Sequence, residues 1–364
     1  MNILGVCLST GKGGLELYAG KAIVALHKAG HQCHFALSPN SYLKERDWPL
    51  ALIELQPAFR HFPLLTARRL ADYIDAHQID VIHMHWNKDL NLAALAKLLS
   101  HRKPRLVYSR HMEITRAKKD LYHRFLYRQV DLLLVISRFV LEQARRFLPI
   151  AMDKVSLLYL GVKASGKTSA QQCRNLLPGF SEGDGAFVIG MIGRIEPYKG
   201  QHVLIDALIL LKEQGLPLRV AMVGPIMDEQ YYNRLLEKIR QNNLSEMVKY
   251  LGVTQEAEKL MSCCDVVVLT TYCETFGLVL VEAMRAGTAV VGTNAGGVPE
   301  IIRHNETGML YEPGNEAQLA ECLAELCTDL SKRKRLAAGG KEFADKMFDE
   351  LQHYRDLEQK LLEQ

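Results

Sequence analysis

The sequence predicts two α/β domains, each a doubly wound parallel sheet flanked by helices. Three observations carry this expectation. The chain has 364 residues, too many for one average domain and enough for two that each bury a core. Short apolar runs alternate with helical patterns along the chain, the signature of βαβ units. One stretch interrupts the alternation: residues 161–185 (GVKASGKTSAQQCRNLLPGFSEGDG), rich in glycine and polar residues and weak in periodicity.

In the front half the apolar runs at residues 3–8, 34–37, 81–85, 106–109 and 132–136 read as strands, and residues 15–29 as a helix closed by Gly30. In the back half residues 187–192, 219–223, 266–270 and 289–292 read as strands and residues 201–214 as a helix. The expected division is a domain over 1–163, a linker over 164–185 that can hinge, and a domain over 186–344. Residues 341–364 read as one helical pattern, with Phe343, Met347, Phe348, Leu351, Tyr354, Leu357 and Leu361 at helical spacings. Such a stripe needs a surface to pack on.

Apolar residues form 48% of the chain and charged residues 24%, which argues against extensive disorder. The opening MNILGVCLS is apolar but lacks a basic leader and a small-residue cleavage site, so it reads as a buried strand. No run approaches the roughly 18 apolar residues of a membrane-spanning helix. Eight cysteines (Cys7, Cys33, Cys173, Cys263, Cys264, Cys273, Cys322 and Cys327) form no C-x-x-C pair, and reduced core residues of a cytoplasmic protein are the simple reading. Residues 1–163 hold 24 Lys/Arg against 13 Asp/Glu, so the front half is strongly basic although the net charge is only +4. A basic half favours an anionic partner, be it membrane, phosphorylated acceptor or nucleic acid.

The most specific motif is Glu274-Thr275-Phe276-Gly277-Leu278, continuing to Glu282, directly after the run at 266–270. A helix starting near Phe276 offers its first-turn N–H groups to an anion or a sugar hydroxyl. Two carboxylates, at its start and about two turns in, bracket an elongated ligand. On spacing alone, a helix cap at Glu274 and a solvated Glu282 fit equally well. The second motif is Gly193-Arg194-Ile195-Glu196-Pro197-Tyr198-Lys199-Gly200, after the run at 187–192. Arg194 and Lys199 stand where a parallel sheet receives its ligand and together can neutralise a diphosphate. The third is Gly11-Lys12-Gly13-Gly14-Leu15-Glu16, a glycine turn that admits close backbone approach to a phosphate or sugar and matches neither a Walker A loop nor G-x-G-x-x-G.

In this order on two α/β domains, these pieces resemble family 4 of the retaining glycosyltransferases, which have the GT-B fold: two Rossmann-like domains facing across a cleft, with the C-terminal helix crossing back to the N-terminal domain. The resemblance covers nearly the whole chain: GKGGLE, DVIHMH, SRHMEI, VISRFV, GMIGRIEPYKG, ETFGLVLVEAM, AGGVPEII and ETGML. It implies that Arg194 and Lys199 grip the donor diphosphate. Glu282 would hold the ribose hydroxyls, and Glu274 would face the donor sugar, with Gly193 and the N–H groups of Phe276, Gly277 and Leu278 against sugar or phosphate. Gly13 and Gly14 would close over the donor phosphates, and His111 of SRHMEI would position substrate near the donor sugar. The N-terminal domain would take the acceptor and the C-terminal domain the nucleotide-sugar.

His83 and His85 alternate with Met84 and read as strand positions at the cleft edge. No D-x-D and no Cys/His metal spacing occurs, so no cofactor and no metal are expected. Residues 97–128 carry ten cations around Leu121, Phe125 and Leu126, a pattern that fits either a basic amphipathic surface for an anionic membrane or a core-facing helix with a solvated side. The expected activity is retaining transfer from a UDP-, GDP- or ADP-sugar to a glycan or lipid-linked acceptor in bacterial lipopolysaccharide or surface polysaccharide synthesis, in the cytoplasm or peripheral on the inner membrane face. Two alternatives are a nucleotide-sugar epimerase of the same fold and a non-catalytic sugar-nucleotide-binding protein. The latter would have lost some of Arg194, Lys199, Glu274 and Glu282, which are all present. No nucleic-acid-binding motif accompanies the basic half.

Overall fold

A computed structural model describes residues 1–57, 63–164, 166, 168–180 and 185–363. The chain divides into two units, Met1–Tyr159 with Gln352–Gln364, and Leu160–Leu351.

Unit 1 runs β1 (Asn2–Cys7), α1 (Gly14–Lys28), β2 (Gln32–Leu37), β3 (Ala51–Glu54), α2 (Leu64–Ala76), β4 (Val81–Met84), α3 (Leu90–Leu99), β5 (Arg105–Arg110), α4 (Leu121–Arg128), β6 (Leu132–Val135), α5 (Arg138–Phe147) and β7 (Val155–Leu157). The sheet order is β3-β2-β1-β4-β5-β6-β7 and its pairings are parallel. The central strands are mostly buried because helices cover both faces of such a sheet. Ile3, Leu4 and Val6 of β1 and Leu106 and Val107 of β5 are fully buried.

Unit 2 runs α6 (Ala170–Leu176), β8 (Phe187–Ile192), α7 (Gln201–Lys212), β9 (Leu218–Val223), α8 (Glu229–Gln241), β10 (Val248–Tyr250), α9 (Ala257–Met261), β11 (Val266–Val268), α10 (Leu278–Arg285), β12 (Ala289–Thr293), α11 (Val298–Ile301), β13 (Met309–Tyr311), α12 (Glu316–Thr328), α13 (Leu330–Met347) and the start of α14 (Glu350–Leu362). Its sheet order is β10-β9-β8-β11-β12-β13, again parallel. One core joins Ile189 and Met191 of β8, Val220 of β9, Leu204 and Leu208 of α7, and Leu319 and Leu323 of α12.

Three features differ from the sequence reading. Part of the expected linker forms α6, whose N-cap Ser169 and Gln172 make a capping box. Ser165, Lys167 and residues 181–184 of that stretch lie outside the described residues. Cys173 of α6 is joined to Cys263 in a disulfide, so these two are not the reduced core residues expected of all eight; Cys7, Cys33, Cys264, Cys273, Cys322 and Cys327 are in no disulfide. The C-terminal stretch is two helices and not one: Phe348 and Asp349 leave helical geometry between α13 and α14. There the Phe348 carbonyl accepts from the Val162 N–H at 2.9 Å, and Val162 pairs with Asp349 in an isolated parallel bridge.

Arg285, at the end of α10, fastens this crossing. It is 4% exposed. Its guanidinium donates to the carbonyls of Val162 and Phe348 and to the Asp349 carboxylate at 3.2 Å, and forms an ion pair with Asp345 at 3.1 Å. A single side chain thus binds both backbone segments that lead from one unit to the other. No helix among the described residues is long and apolar enough to cross a membrane.

Candidate active site

In unit 2 the chain leaves β8 through Gly193 and keeps pairing with the segment after β9, the Gly193 N–H donating to Val223 at 2.8 Å and the Ile195 N–H to Pro225 at 2.9 Å. A short 3₁₀ turn at Pro197–Lys199 follows, and Gly200 caps α7 with φ +69°. A Cβ on Gly200 would lie 2.2 Å from the Thr270 carbonyl oxygen, so this close approach requires glycine. The loop is laced to the one after β11: the Thr270 hydroxyl donates to the Lys199 carbonyl at 2.8 Å and the Tyr198 hydroxyl to the Cys273 carbonyl at 2.7 Å. The buried Gln201 amide donates to the Arg194 carbonyl at 2.8 Å.

This lacing brings two of the predicted residues together. Lys199 Nζ lies 2.8 Å from Glu274 Oε2, with the side chains 20% and 22% exposed. The Glu274 backbone is fixed in turn: its carbonyl accepts from the Gly297 N–H at 2.7 Å, and a Cβ on Gly296 would stand 2.2 Å from the same oxygen. Arg194 is half exposed and pairs with Glu196 of its own loop at 2.9 Å. Gly277 is the N-cap of α10 and Leu278 its first residue, so Glu282 stands half-buried little more than one turn in, not two. Phe276 is buried, its ring edge-on to Phe348 at 5.5 Å. Gln201, Thr270 and Glu196 had no assigned role in the sequence reading. For Gln201, a polar residue next to Gly200 in a strand-end loop was the available signal.

In unit 1 the Gly13 N–H donates to Glu16 Oε2 at 2.9 Å, and the Ser9 hydroxyl donates to the other oxygen of the same buried carboxylate. Gly14 differs from its neighbours. A Cβ there meets nothing within 4 Å, and its position as the first residue of α1 demands no special backbone geometry. The protein itself supplies no steric reason for a glycine, which costs helix stability.

His111 follows β5 and is buried, with its Nε2 unpartnered. Its ring packs on Tyr18 at 4.6 Å and His85 at 5.8 Å. His83 and His85, expected at a cleft edge, are instead 1% and 2% exposed. His83 Nε2 and the Ser109 hydroxyl form a hydrogen bond of 2.8 Å. The Tyr18 hydroxyl bonds His353 Nε2 of α14 at 2.9 Å, and His353 Nδ1 donates to the Tyr159 carbonyl at 2.7 Å. Burial dominates the titration of this group: the imidazoles of His83 and His111 are pushed down to about 3 and His353 to about 4, with His85 also well below its usual value.

These depressed values carry a sign. The unfolded chain binds protons on the four imidazoles near pH 6.5, where the folded chain does not. Stability contributed by their neutral burial is complete above about pH 6.5 and is lost as pH falls towards 4, the value of His353. Urea unfolding between pH 7 and pH 4 is expected to show a falling free energy, with a shallower slope in His353→Gln. Parallel slopes for the two proteins would remove the histidine cluster as the cause.

Among the described residues no group of three or more His, Cys, Asp or Glu side chains is placed to hold a metal ion. Nine of the ten cations of the basic stretch separate into two sets, and the tenth, Lys118, is half-buried. Lys97, Arg102, Lys103, Arg105 and Arg110 are engaged with protein acceptors. Arg116, Lys119, Arg124 and Arg128 are exposed. Leu126 is buried, whereas Leu121 is 83% and Phe125 46% exposed, so the expected three-residue face is split.

Comparison with known proteins places this geometry. Residues 12–165 match the family model described as Glycosyltransferase Family 4, and residues 178–343 that of Glycosyl transferases group 1. N-acetyl-alpha-D-glucosaminyl L-malate synthase of Bacillus anthracis is 23% identical over 342 residues, covering 89% of this chain and 87% of that protein. D-inositol 3-phosphate glycosyltransferase of Stackebrandtia nassauensis is 34% identical over 169 residues, 44% of this chain but only 38% of that one. HepE of Anabaena, solved in complex with UDP, matches with a TM-score of 0.85 at 25% identity over 99% of both chains. The same protein with UDP-glucose matches at 0.83. With the two family models matched in succession over residues 12–165 and 178–343, and two parallel-sheet Rossmann-like domains of the GT-B type, this chain belongs to the family 4 glycosyltransferases.

Proposed function

We propose that this glycosyltransferase is a retaining, metal-independent enzyme that transfers a sugar from a nucleotide-sugar, a UDP-sugar first among UDP, GDP and ADP donors, to a glycan or lipid-linked acceptor. The observation that carries it is the Lys199–Glu274 pair, held at the ends of β8 and β11 by two interlocked loops. A cation there offsets charge developing on the departing diphosphate, and a carboxylate beside it accepts from sugar hydroxyls. Arg194 adds a second cation once it exchanges Glu196 for phosphate. Glu282 holds the ribose hydroxyls, and Gly193 and the N–H groups of Phe276 to Leu278 contact the sugar or phosphate. From unit 1, Gly13 and Gly14 contribute backbone contacts and His111 positions substrate. The glycine at 14, unexplained by the protein's own packing, supports a close backbone contact with a ligand.

In this reaction the bond from the anomeric carbon to the diphosphate oxygen breaks and the acceptor oxygen bonds to that carbon on the same face. The acceptor proton passes to the departing phosphate oxygen, so no protein nucleophile is needed. The UDP and UDP-glucose bound by HepE support the choice of UDP donors. Malate and inositol 3-phosphate, in the names of two relatives, widen the acceptors to be tried beyond glycans. Metal-free turnover of a panel of UDP-, GDP- and ADP-sugars tests the reading: slow hydrolysis of one donor alone, and transfer to an added acceptor with retained anomeric configuration, support it, and tight binding without turnover in the presence of acceptors sinks it.

A place in lipopolysaccharide or surface polysaccharide assembly on the inner membrane face is supported by the patch of Arg116, Lys119, Arg124 and Arg128 around exposed Leu121 and Phe125. Sedimentation with vesicles of anionic lipid is expected to pull down the wild type at low salt. Leu121→Asp with Phe125→Asp should abolish it, and neutral vesicles should retain neither. Equal binding to both vesicle types would dismiss the membrane role.

A further inference from the structure

The residues after β11 that carry Glu274 are tied, one after another, to different parts of unit 2. The Thr271 carbonyl accepts from the Thr293 hydroxyl of β12 at 2.9 Å. The Cys273 carbonyl accepts from the Tyr198 hydroxyl, and the Glu274 carbonyl from the Gly297 N–H, each at 2.7 Å. Tyr272 is tied through its side chain: its hydroxyl lies 3.1 Å from Nε2 of His202, in the first turn of α7.

The imidazole is itself oriented. The buried Tyr231 of α8 accepts at its hydroxyl oxygen from the His202 backbone N–H at 3.1 Å and stands 2.9 Å from His202 Nδ1. The Tyr231 proton therefore goes to Nδ1, and the neutral ring carries its own proton on Nε2 and donates it to Tyr272. Burial holds the His202 imidazole below its usual value, Asp206 opposing and Lys238 adding to the effect, and those two are paired with each other at 2.5 Å. The neutral, donating ring is thus the form present at neutral pH. The Tyr272 ring lies against Gly314, where φ is +75° and a Cβ would come within 3.1 Å of it. Even so Tyr272 is 41% exposed, so packing leaves its hydroxyl free to turn to water, and the bond from His202 is what fixes it.

His202 and Lys199 stand on one segment, Tyr272 and Glu274 on another, so the His202–Tyr272 bond joins the same two segments as the ion pair. We propose that His202 is a positioning residue for glycosyl transfer: by bonding Tyr272 it fixes residues 272–274 and so holds the Glu274 carboxylate against Lys199. The inference rests on the glycosyl-transfer reading above. His202 has no assigned contact with the reacting atoms, and its effect passes through Tyr272 to Glu274.

The test follows UDP-glucose turnover and amide hydrogen exchange in the full chain and its His202→Ala, His202→Gln, Tyr272→Phe and His202→Ala/Tyr272→Phe variants. The Gly297 amide reports on the Glu274 backbone because its proton lies in the bond to the Glu274 carbonyl. The Gly193 amide, bonded to the Val223 carbonyl at the end of β8, serves as the control. His202→Ala is expected to lower kcat about three- to tenfold with KM little changed, the scale of one lost neutral hydrogen bond. Gly297 exchange should quicken by a similar factor while Gly193 exchange does not. His202→Gln, whose amide can donate from the same place, should recover most of both. Tyr272→Phe should match His202→Ala, and the double variant should be no more than about twofold worse than either, because both remove one bond. The proposal is overturned if Gly297 exchange is the same in His202→Ala as in the wild type, if Gly193 quickens equally, or if the two single losses multiply in the double variant. Exchange is read without donor, so a wild type that fails to turn over UDP-glucose counts against the glycosyl-transfer reading, whereas an unchanged Gly297 amide counts against the role of His202.

Discussion

With Lys199 replaced by alanine, donor turnover falls by roughly 10²- to 10³-fold, the scale of removing one preorganised group that meets developing charge. Stability changes by less than about 1 kcal/mol, since the pair with Glu274 is partly open to solvent and screened. Glu274→Gln keeps the shape and removes the charge, and is expected to lower turnover comparably. The two residues touch, so their effects are not additive: the double variant should be little worse than the poorer single one. Single-turnover kinetics on the three variants, with urea unfolding alongside, separate the arms. A loss in Lys199→Ala smaller than about tenfold would take the pair out of the chemistry.

Arg285→Met is expected to destabilise the protein by on the order of 3 kcal/mol, read as a lower urea midpoint. Methionine fills much of the volume but serves neither the Val162 nor the Phe348 carbonyl, both inside the structure. Asp345 and Asp349 are 39% and 37% exposed and can turn to water, which holds the penalty below that of a fully buried pair. Arg285→Lys should recover only part, because one ammonium cannot reach the several acceptors that a planar guanidinium fork spans. An unchanged midpoint in Arg285→Met would show that the crossing is secured elsewhere.

The central strands were legible in the sequence because burial on both faces writes them as unbroken apolar runs; β1, β4, β5, β8 and β11 are of this kind. The strands β3, β7, β10 and β13 were not, each being an edge strand of its sheet. The break between α13 and α14 escaped because Phe348 continues the apolar spacing. What interrupts the helix is a backbone partner, Val162, far away in sequence. The same limit applies to the sites. The loop motifs were readable one at a time, and the contact between Lys199 and Glu274 depends on Thr270 and Gly200 drawing two loops together. Tyr18 and His353, 335 residues apart, carry no local signal of their meeting. The cysteine pattern misled for a related reason: Cys173 and Cys263 stand 90 residues apart, without a motif to announce the pair.

The placement of residues Gln352–Gln364 with the first unit also orders events during synthesis. A ribosome delivers Met1–Tyr159 first, yet Tyr18 cannot find His353, nor Arg105 the carbonyls of Lys360 and Leu361, until the whole of Leu160–Leu351 has emerged. The second unit is contiguous and can complete its core as it leaves the tunnel. The first-made half therefore finishes folding last, and waits with its own α14 segment still unmade.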